Sequence, residues 1–245
     1  MILDRTTAAY IQNVAKTAAK LGLDRVIIEP GKVRAIGEDN SILMMHTRDV
    51  PTLPFVSLGM NRLDVLAARY DLVKDRPNQE VSAVPDDEDN PTYARSLKIK
   101  AKGVSAEYRC ANPAMIKIPR ELADTDAFVG IFSSDAYDLI SSGASSMDAE
   151  EVIITGDSTG ISCEMTDVAG CKATLTLSET KITPIDGGVD EDDDVEHSVS
   201  FTHKYNVKQL RTVLKDRDDE SFIVTTKGIM IVTVNGIDIN LIPRR

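Results

Sequence analysis

The chain holds three histidines, His46, His197 and His203, and three cysteines, Cys110, Cys163 and Cys171. Nucleophilic or metal chemistry needs such residues in short combinations: a Cys-x-x-Cys pair, a His-Glu-x-x-His helix or a Gly-x-Ser-x-Gly turn. None of these spacings occurs, so the histidines read as surface or packed residues and the cysteines as reduced and structural. The glycines are scattered singly, and no Gly-x-x-x-x-Gly-Lys or Gly-x-Gly-x-x-Gly loop is present to cradle the phosphates of a nucleotide. Asp and Glu are abundant enough to pair as general acid and base, but sequence spacing does not set distance in space. No catalytic residue, metal ligand or cofactor is therefore assigned, and an enzyme is not expected.

Lysines and arginines at helical spacing offer a different chemistry, the attraction of phosphate. In HKYNVKQLRTVLKDR, residues 203–217, Val207, Leu210, Val213 and Leu214 fall on one face of an expected helix, while Lys204, Lys208, Arg211 and Lys215 gather on the other. In TTAAYIQNVAKTAAKLG, Ile11, Val14, Ala15 and Ala18 make the buried stripe of a helix from about residue 7 to residue 21. Thr6 or Thr7 can cap it and Gly22 can end it. Lys16 and Lys20 share another face with Asn13, and no acid is present to pair with them. A helix at about 61–73 buries Leu63, Leu66, Ala67 and Tyr70 and turns Arg62 and Arg69 outward. The fourth expected helix, 133–147, is capped by Ser133 or Ser134 and carries Asp135 and Asp138 with no base. One basic face alone is ordinary helix solvation. Three on one side of a molecule would attract phosphates without reading base sequence, since no aromatic residues interleave for stacking.

The net charge of −11 would argue against such a partner if it were evenly spread. It is not. Asp86, Asp87, Glu88 and Asp89 form one acidic run; Asp186, Asp190, Glu191, Asp192, Asp193, Asp194 and Glu196 form another. These carboxylates account for the whole net charge, and the rest of the chain is neutral. Dense like charge stays solvated, and the runs lack the ligand alternation of a calcium loop, so both are expected as exposed loops.

The elements that must position these side chains repeat. Residues 1–110 read helix, strands (RVIIEP, KVRAIG, SILMMHT), helix, strands (EVSAV, SLKIKAK, VSAEYR). After ANPAMIKIPREL, residues 111–122, which reads as an extended linker, come the strand AFVGIF and the helix at 133–147. The strands EEVIITG, GISCEMT and CKATLTLSE follow, then the second acidic run, the strand HSVSFTH, the basic helix and a last meander. In that meander Asn235-Gly236 is the strongest hairpin signal. The order implies two α+β domains of one topology, 1–110 and 123–245, joined by the linker. At 245 residues the chain can build a core for each. No apolar run nears the roughly 18 residues of a membrane span, and the start, MILDRTTAAYIQN, lacks the pattern of a signal peptide.

This layout resembles the DNA polymerase sliding clamps of the two-domain type, the group that includes proliferating cell nuclear antigen and the processivity clamps of tailed phages. The local carriers are the linker MIKIPREL before a strand and helix, YNVKQLRTVLK after an acidic loop, and the ending INLIPRR. The resemblance implies a homotrimeric ring of six domains, with helices inside and antiparallel sheets outside, that encircles duplex DNA. Lys16, Lys20, Arg62, Arg69, Lys204, Lys208, Arg211 and Lys215 would face the DNA. A DNA polymerase and a clamp loader would dock in an apolar pocket of Ile42, Ile116, Ile118, Leu122, Ile229, Ile242 and Pro243. One subunit's Val104, Ala106 and Tyr108 would meet Cys171, Ala173 and Leu175 of the next. The resemblance implies a cytoplasmic protein, in an infected bacterial cell if the source is a phage, with no membrane partner. The competing reading is a viral structural or interaction protein of repeated α+β domains that does not encircle DNA.

Overall fold

A computed structural model describes residues 1–119, 125–157, 160–177, 181–184, 200–217 and 221–244. It divides into two units, Met1–Arg120 and Glu121–Arg245.

In the first unit the elements are α1 (Arg5–Lys20), β1 (Arg25–Glu29), β2 (Lys32–Ile36), β3 (Ile42–His46), β4 (Leu58–Asn61), α2 (Leu63–Asp71), β5 (Glu80–Pro85), β6 (Ala94–Ala101) and β7 (Val104–Arg109), followed by a 3-10 turn at Pro113–Met115. Helix α1 starts two residues earlier than its periodicity suggests. Asp4, not a threonine, is the cap: its carboxylate accepts from Thr7 N at 2.9 Å and from Thr7 Oγ1 at 2.6 Å. The Thr7 hydroxyl bond is the main reason the Asp4 carboxyl is held below its usual range. Ile11, Val14, Ala15 and Ala18 are fully buried, and α1 packs beside α2.

Antiparallel ladders join β3, β2, β1 and β4 in that order, and β5, β6 and β7 form a meander. Strand β4 escapes sequence reading because Leu58, Gly59 and Met60 are all buried and show no alternation. Gly59 is required there. A Cβ would stand 2.5 Å from the Ala111 carbonyl oxygen, and Ala111 N donates to Gly59 O at 2.9 Å. The first residue of the expected linker is thus a bridge partner of β4.

In the second unit the elements are β8 (Asp126–Ile131), α3 (Ala136–Met147), β9 (Glu151–Asp157), β10 (Gly160–Thr166), β11 (Lys172–Leu177), β12 (Lys181–Pro184), β13 (Ser200–Asn206), α4 (Val207–Lys215), β14 (Ser221–Thr225), β15 (Met230–Val234) and β16 (Ile237–Leu241). One sheet runs β11-β10-β9-β13; the strands β12, β8, β14, β15 and β16 pair in that order. Helix α3 begins at Ala136, with Asp135 at the cap position and no side-chain cap bond, so neither Ser133 nor Ser134 caps it. Helix α4 begins at Val207, where Asn206 accepts from Gln209 N at 3.1 Å. Residues 203–206, which helical spacing joined to α4, are the end of β13. The Asn235-Gly236 turn forms as the sequence indicates: both residues have positive φ, 52° and 72°, and Val234 pairs with Ile237.

The two units repeat one plan. The order β4-β1-β2-β3 answers β13-β9-β10-β11, and the meander β5-β6-β7 answers β14-β15-β16. The short bridge between Ile2 and Ser82 on β5 takes the place of β8 beside β14. Each unit lays a helix pair, α1 with α2 or α3 with α4, beside its sheets.

Candidate nucleic-acid interface

On α1, Lys20 is exposed, while half-exposed Lys16 reaches across to α2, its Nζ 2.5 Å from Asp71 Oδ1. Arg62 is exposed at the cap position of α2 in the left-handed conformation, with φ 46° and ψ 56°. Arg69 lies near the C-terminal end of that helix with its guanidinium 5.9 Å from the centre of the Tyr108 ring, within cation–π range. These four cations decorate the helix pair of the first unit.

In the second unit, Lys208 and Lys215 are exposed on α4. Arg211 extends to α3, where its Nε donates to Ser141 Oγ at 3.1 Å. The acidic helix α3 therefore borrows a cation from its neighbour, a link that nothing in the spacing of either helix announces. Lys204 does not belong to this group. It lies on β13, and its Nζ is 2.9 Å from Glu151 Oε2. Arg244 Nη1 reaches the other oxygen at 3.1 Å, and Arg244 N donates to Lys204 O at 2.7 Å. Bonds from Lys204 and then Arg244 hold the Glu151 carboxyl below its usual range. The tail residue and the strand residue are thus tied through one carboxylate.

Among the residues read as an apolar pocket, Ile42 and Ile229 are buried at 1% and 5% exposure and serve their own cores. Ile116 is also buried, with its Cδ1 3.0 Å from the Cβ position of Gly59. Ile118, Ile242 and Pro243 are half-buried; Leu122 lies outside the described residues. Ile42, Ile116 and Ile118 belong to the first unit, and Ile229, Ile242 and Pro243 to the second.

Strands β7 and β11 each end a sheet among the described residues. Val104 and Ala106 are half-buried, as are Ala173 and Leu175, and Cys171 is exposed just before β11. Tyr108 is different. It is fully buried, and its hydroxyl accepts from Asn61 N at 2.8 Å and donates to Asn61 O. It is a packing residue of the first unit, not a surface contact.

Of the acidic runs, Asp86 does more than solvate. It accepts from Thr92 N and Oγ1 and from Tyr93 N, closing the β5–β6 loop, and these bonds lower its carboxyl to about 2, the Thr92 hydroxyl contributing most. Residues 186–196 lie outside the described residues. Of the histidines, His46 is buried and His203 half-buried, its pKa lowered by desolvation; His197 is not described. Among the described residues no group of three or more His, Cys, Asp or Glu could hold a metal ion, and no helix is long and apolar enough to cross a membrane.

No family model matches the chain, and no curated protein matches it in sequence. Solved structures do. The beta sliding clamp of C. crescentus superposes with a TM-score of 0.66 at 14% identity over 100% of this chain and 65% of its own. The DNA polymerase III subunit beta of Pseudomonas aeruginosa gives 0.67 at 12% identity, over 100% and 66%. The chain thus spans about two thirds of these bacterial proteins. The Proliferating Cellular Nuclear Antigen of Entamoeba histolytica gives 0.64 at 13% identity, over 97% of this chain and 96% of that one. That of A. fulgidus, solved with the C-terminal region of FEN-1 bound, gives 0.60 at 16% identity, over 96% and 95%. Two units of antiparallel strands with one topology, each with its helix pair, together with superpositions that span 96% to 100% of this chain, establish that the chain has the sliding-clamp fold.

Proposed function

We propose that the protein is a sliding clamp: a non-enzymatic ring that encircles duplex DNA and keeps a DNA polymerase at its template. The observation that supports this most is the repeated unit, whose helix pair carries cations in both halves of an otherwise acidic chain, in a subunit that matches the Entamoeba antigen over nearly its whole length. Three subunits close head to tail, β7 of one pairing with β11 of the next, because a heterologous interface whose rotation closes gives a ring. Val104 and Ala106 then face Ala173 and Leu175 across the joint, beside Cys171. The helices face the DNA, and Lys16, Lys20, Arg62, Arg69, Lys208, Arg211 and Lys215 meet its phosphates weakly enough to slide. A clamp loader and the polymerase dock on half-buried apolar side chains, Ile118 in the first unit and Ile242 and Pro243 in the second. Retention is topological, and it raises the effective concentration of the tethered polymerase without any covalent step.

Primer extension on a long template, with a cognate polymerase and loader, tests this reading. Adding the protein is expected to lengthen the products of single binding events; unchanged product length counts against the clamp.

A further inference from the structure

Arg62 carries one of the exposed cations of the first unit from an unusual backbone. Its φ of 46° and ψ of 56° place it in the left-handed region, where a residue with a Cβ is strained and persists only when its surroundings hold it. No side-chain cap bond secures this end of α2. The restraint comes from a residue distant in sequence. Asn61 ends β4, and in an extended residue the N–H and C=O point the same way, ready for one neighbour. The Tyr108 hydroxyl fills that place: it accepts from Asn61 N at 2.8 Å and donates to Asn61 O. The Asn61 carbonyl belongs to the peptide that enters Arg62, so the hydroxyl orients the plane on which the left-handed turn is built. The Tyr108 ring also meets the Arg69 guanidinium at 5.9 Å. One fully buried side chain, rooted on the end strand β7, thus organises two arginines on the helix face.

We propose that Tyr108 is a positioning residue for the phosphate contacts of Arg62 and Arg69, coupling the strand that meets the neighbouring subunit to the cations that meet DNA. This rests on the clamp reading. It assigns Tyr108 a role through its hydroxyl and ring inside the subunit, separate from any contact across the joint.

The test is a salt titration of binding to a short DNA duplex by the full chain, Arg62→Ala, Tyr108→Phe and the double variant. Tyr108→Phe keeps the ring beneath Arg69 and removes only the hydroxyl. Each lost phosphate contact lowers the slope of log affinity against log salt by about 1. Arg62→Ala should show that loss, Tyr108→Phe most of it, and the double variant no more than Arg62→Ala alone. Thermal unfolding is followed in parallel, because the lost hydrogen bond should also lower the melting temperature by roughly a few degrees. A lower melting temperature with an unchanged slope would reduce Tyr108 to a structural residue and overturn the proposal; so would additive slopes. A wild-type slope near zero would refute the DNA reading and this proposal together. A normal wild-type slope that Tyr108→Phe leaves intact would refute this proposal alone.

Discussion

The Lys204 ammonium stands 2.9 Å from Glu151 Oε2, so a cation that helical spacing assigns to a basic helix face is an ion-paired member of a strand. Arg244 shares the same carboxylate at 3.1 Å, and the three residues join β9, β13 and the C-terminal tail.

The first prediction concerns pH. Lys204, and to a lesser degree Arg244, lowers the pKa of Glu151 from its ordinary value of 4.5. A carboxyl depressed on folding contributes stability that is complete above its unfolded pKa and is lost as pH falls through the folded one. Because the side chain is 37% exposed, solvent screening limits the contribution to under about 1 kcal/mol. Glu151→Gln should therefore lower the urea unfolding free energy by about 0.5 kcal/mol at neutral pH, and the deficit should vanish once pH falls below the folded pKa. An equal deficit in acid would mean that the charge pairs are not its source.

A second prediction ranks the cations. Lys16 and Lys204 are engaged by Asp71 and Glu151, whereas Lys208, Arg211 and Lys215 have no carboxylate partner among the described residues. Alanine at each of these last three should lower the salt slope of duplex binding by about 1. Alanine at Lys16 or Lys204 should lower it by less than about half as much, since part of that charge is already neutralised. Equal effects at all five would show that the ion pairs open when DNA binds.

The third prediction addresses the ring joint. The β6–β7 ladder starts from the Ala101–Val104 pair, and antiparallel pairs alternate between bonded and non-bonded. Ser105, Glu107 and Arg109 therefore turn their N–H groups to the unpaired side. Proline is tolerated on an edge and removes the donor a neighbour needs. On the proposed trimer, Ser105→Pro should leave a folded chain whose mass by light scattering falls from three times 26.7 kDa to the single chain. A trimer that survives the substitution would place the joint elsewhere.

The fourth prediction tests packing in the second unit. The Phe222 ring covers Gly130 so closely that a Cβ would stand 2.0 Å from Cζ, and Phe222 stacks on Phe132 with centroids 4.2 Å apart. Gly130→Ala should cost about 1–3 kcal/mol by overpacking, read by urea unfolding. Adding Phe222→Leu should recover part of that loss, whereas simple additivity would dispute the contact.

The stripe Ile11, Val14, Ala15 and Ala18 is buried as its spacing indicates, because helical periodicity is a property of adjacent turns. Helix α4 starts only after the end of β13, a boundary that periodicity does not mark, since Lys204 and Tyr205 fit a helical wheel and a pleat equally well. Tyr108 alternates inward with Val104 and Ala106, but only the position of Asn61 makes it a buried hydrogen-bonding residue.

By itself the amino-acid sequence determined most of the elements, though not β4 or β12, together with the Asn235-Gly236 hairpin and the repeated order from which two similar units follow, because backbone preference and burial periodicity act over a few residues. The tertiary structure alone decided which cations remain unneutralised, which strands end their sheets and what holds Arg62 in its left-handed turn. Those outcomes depend on partners far apart in the chain, such as Arg244 and Glu151, 93 residues distant, and on pairings that fold topology brings about.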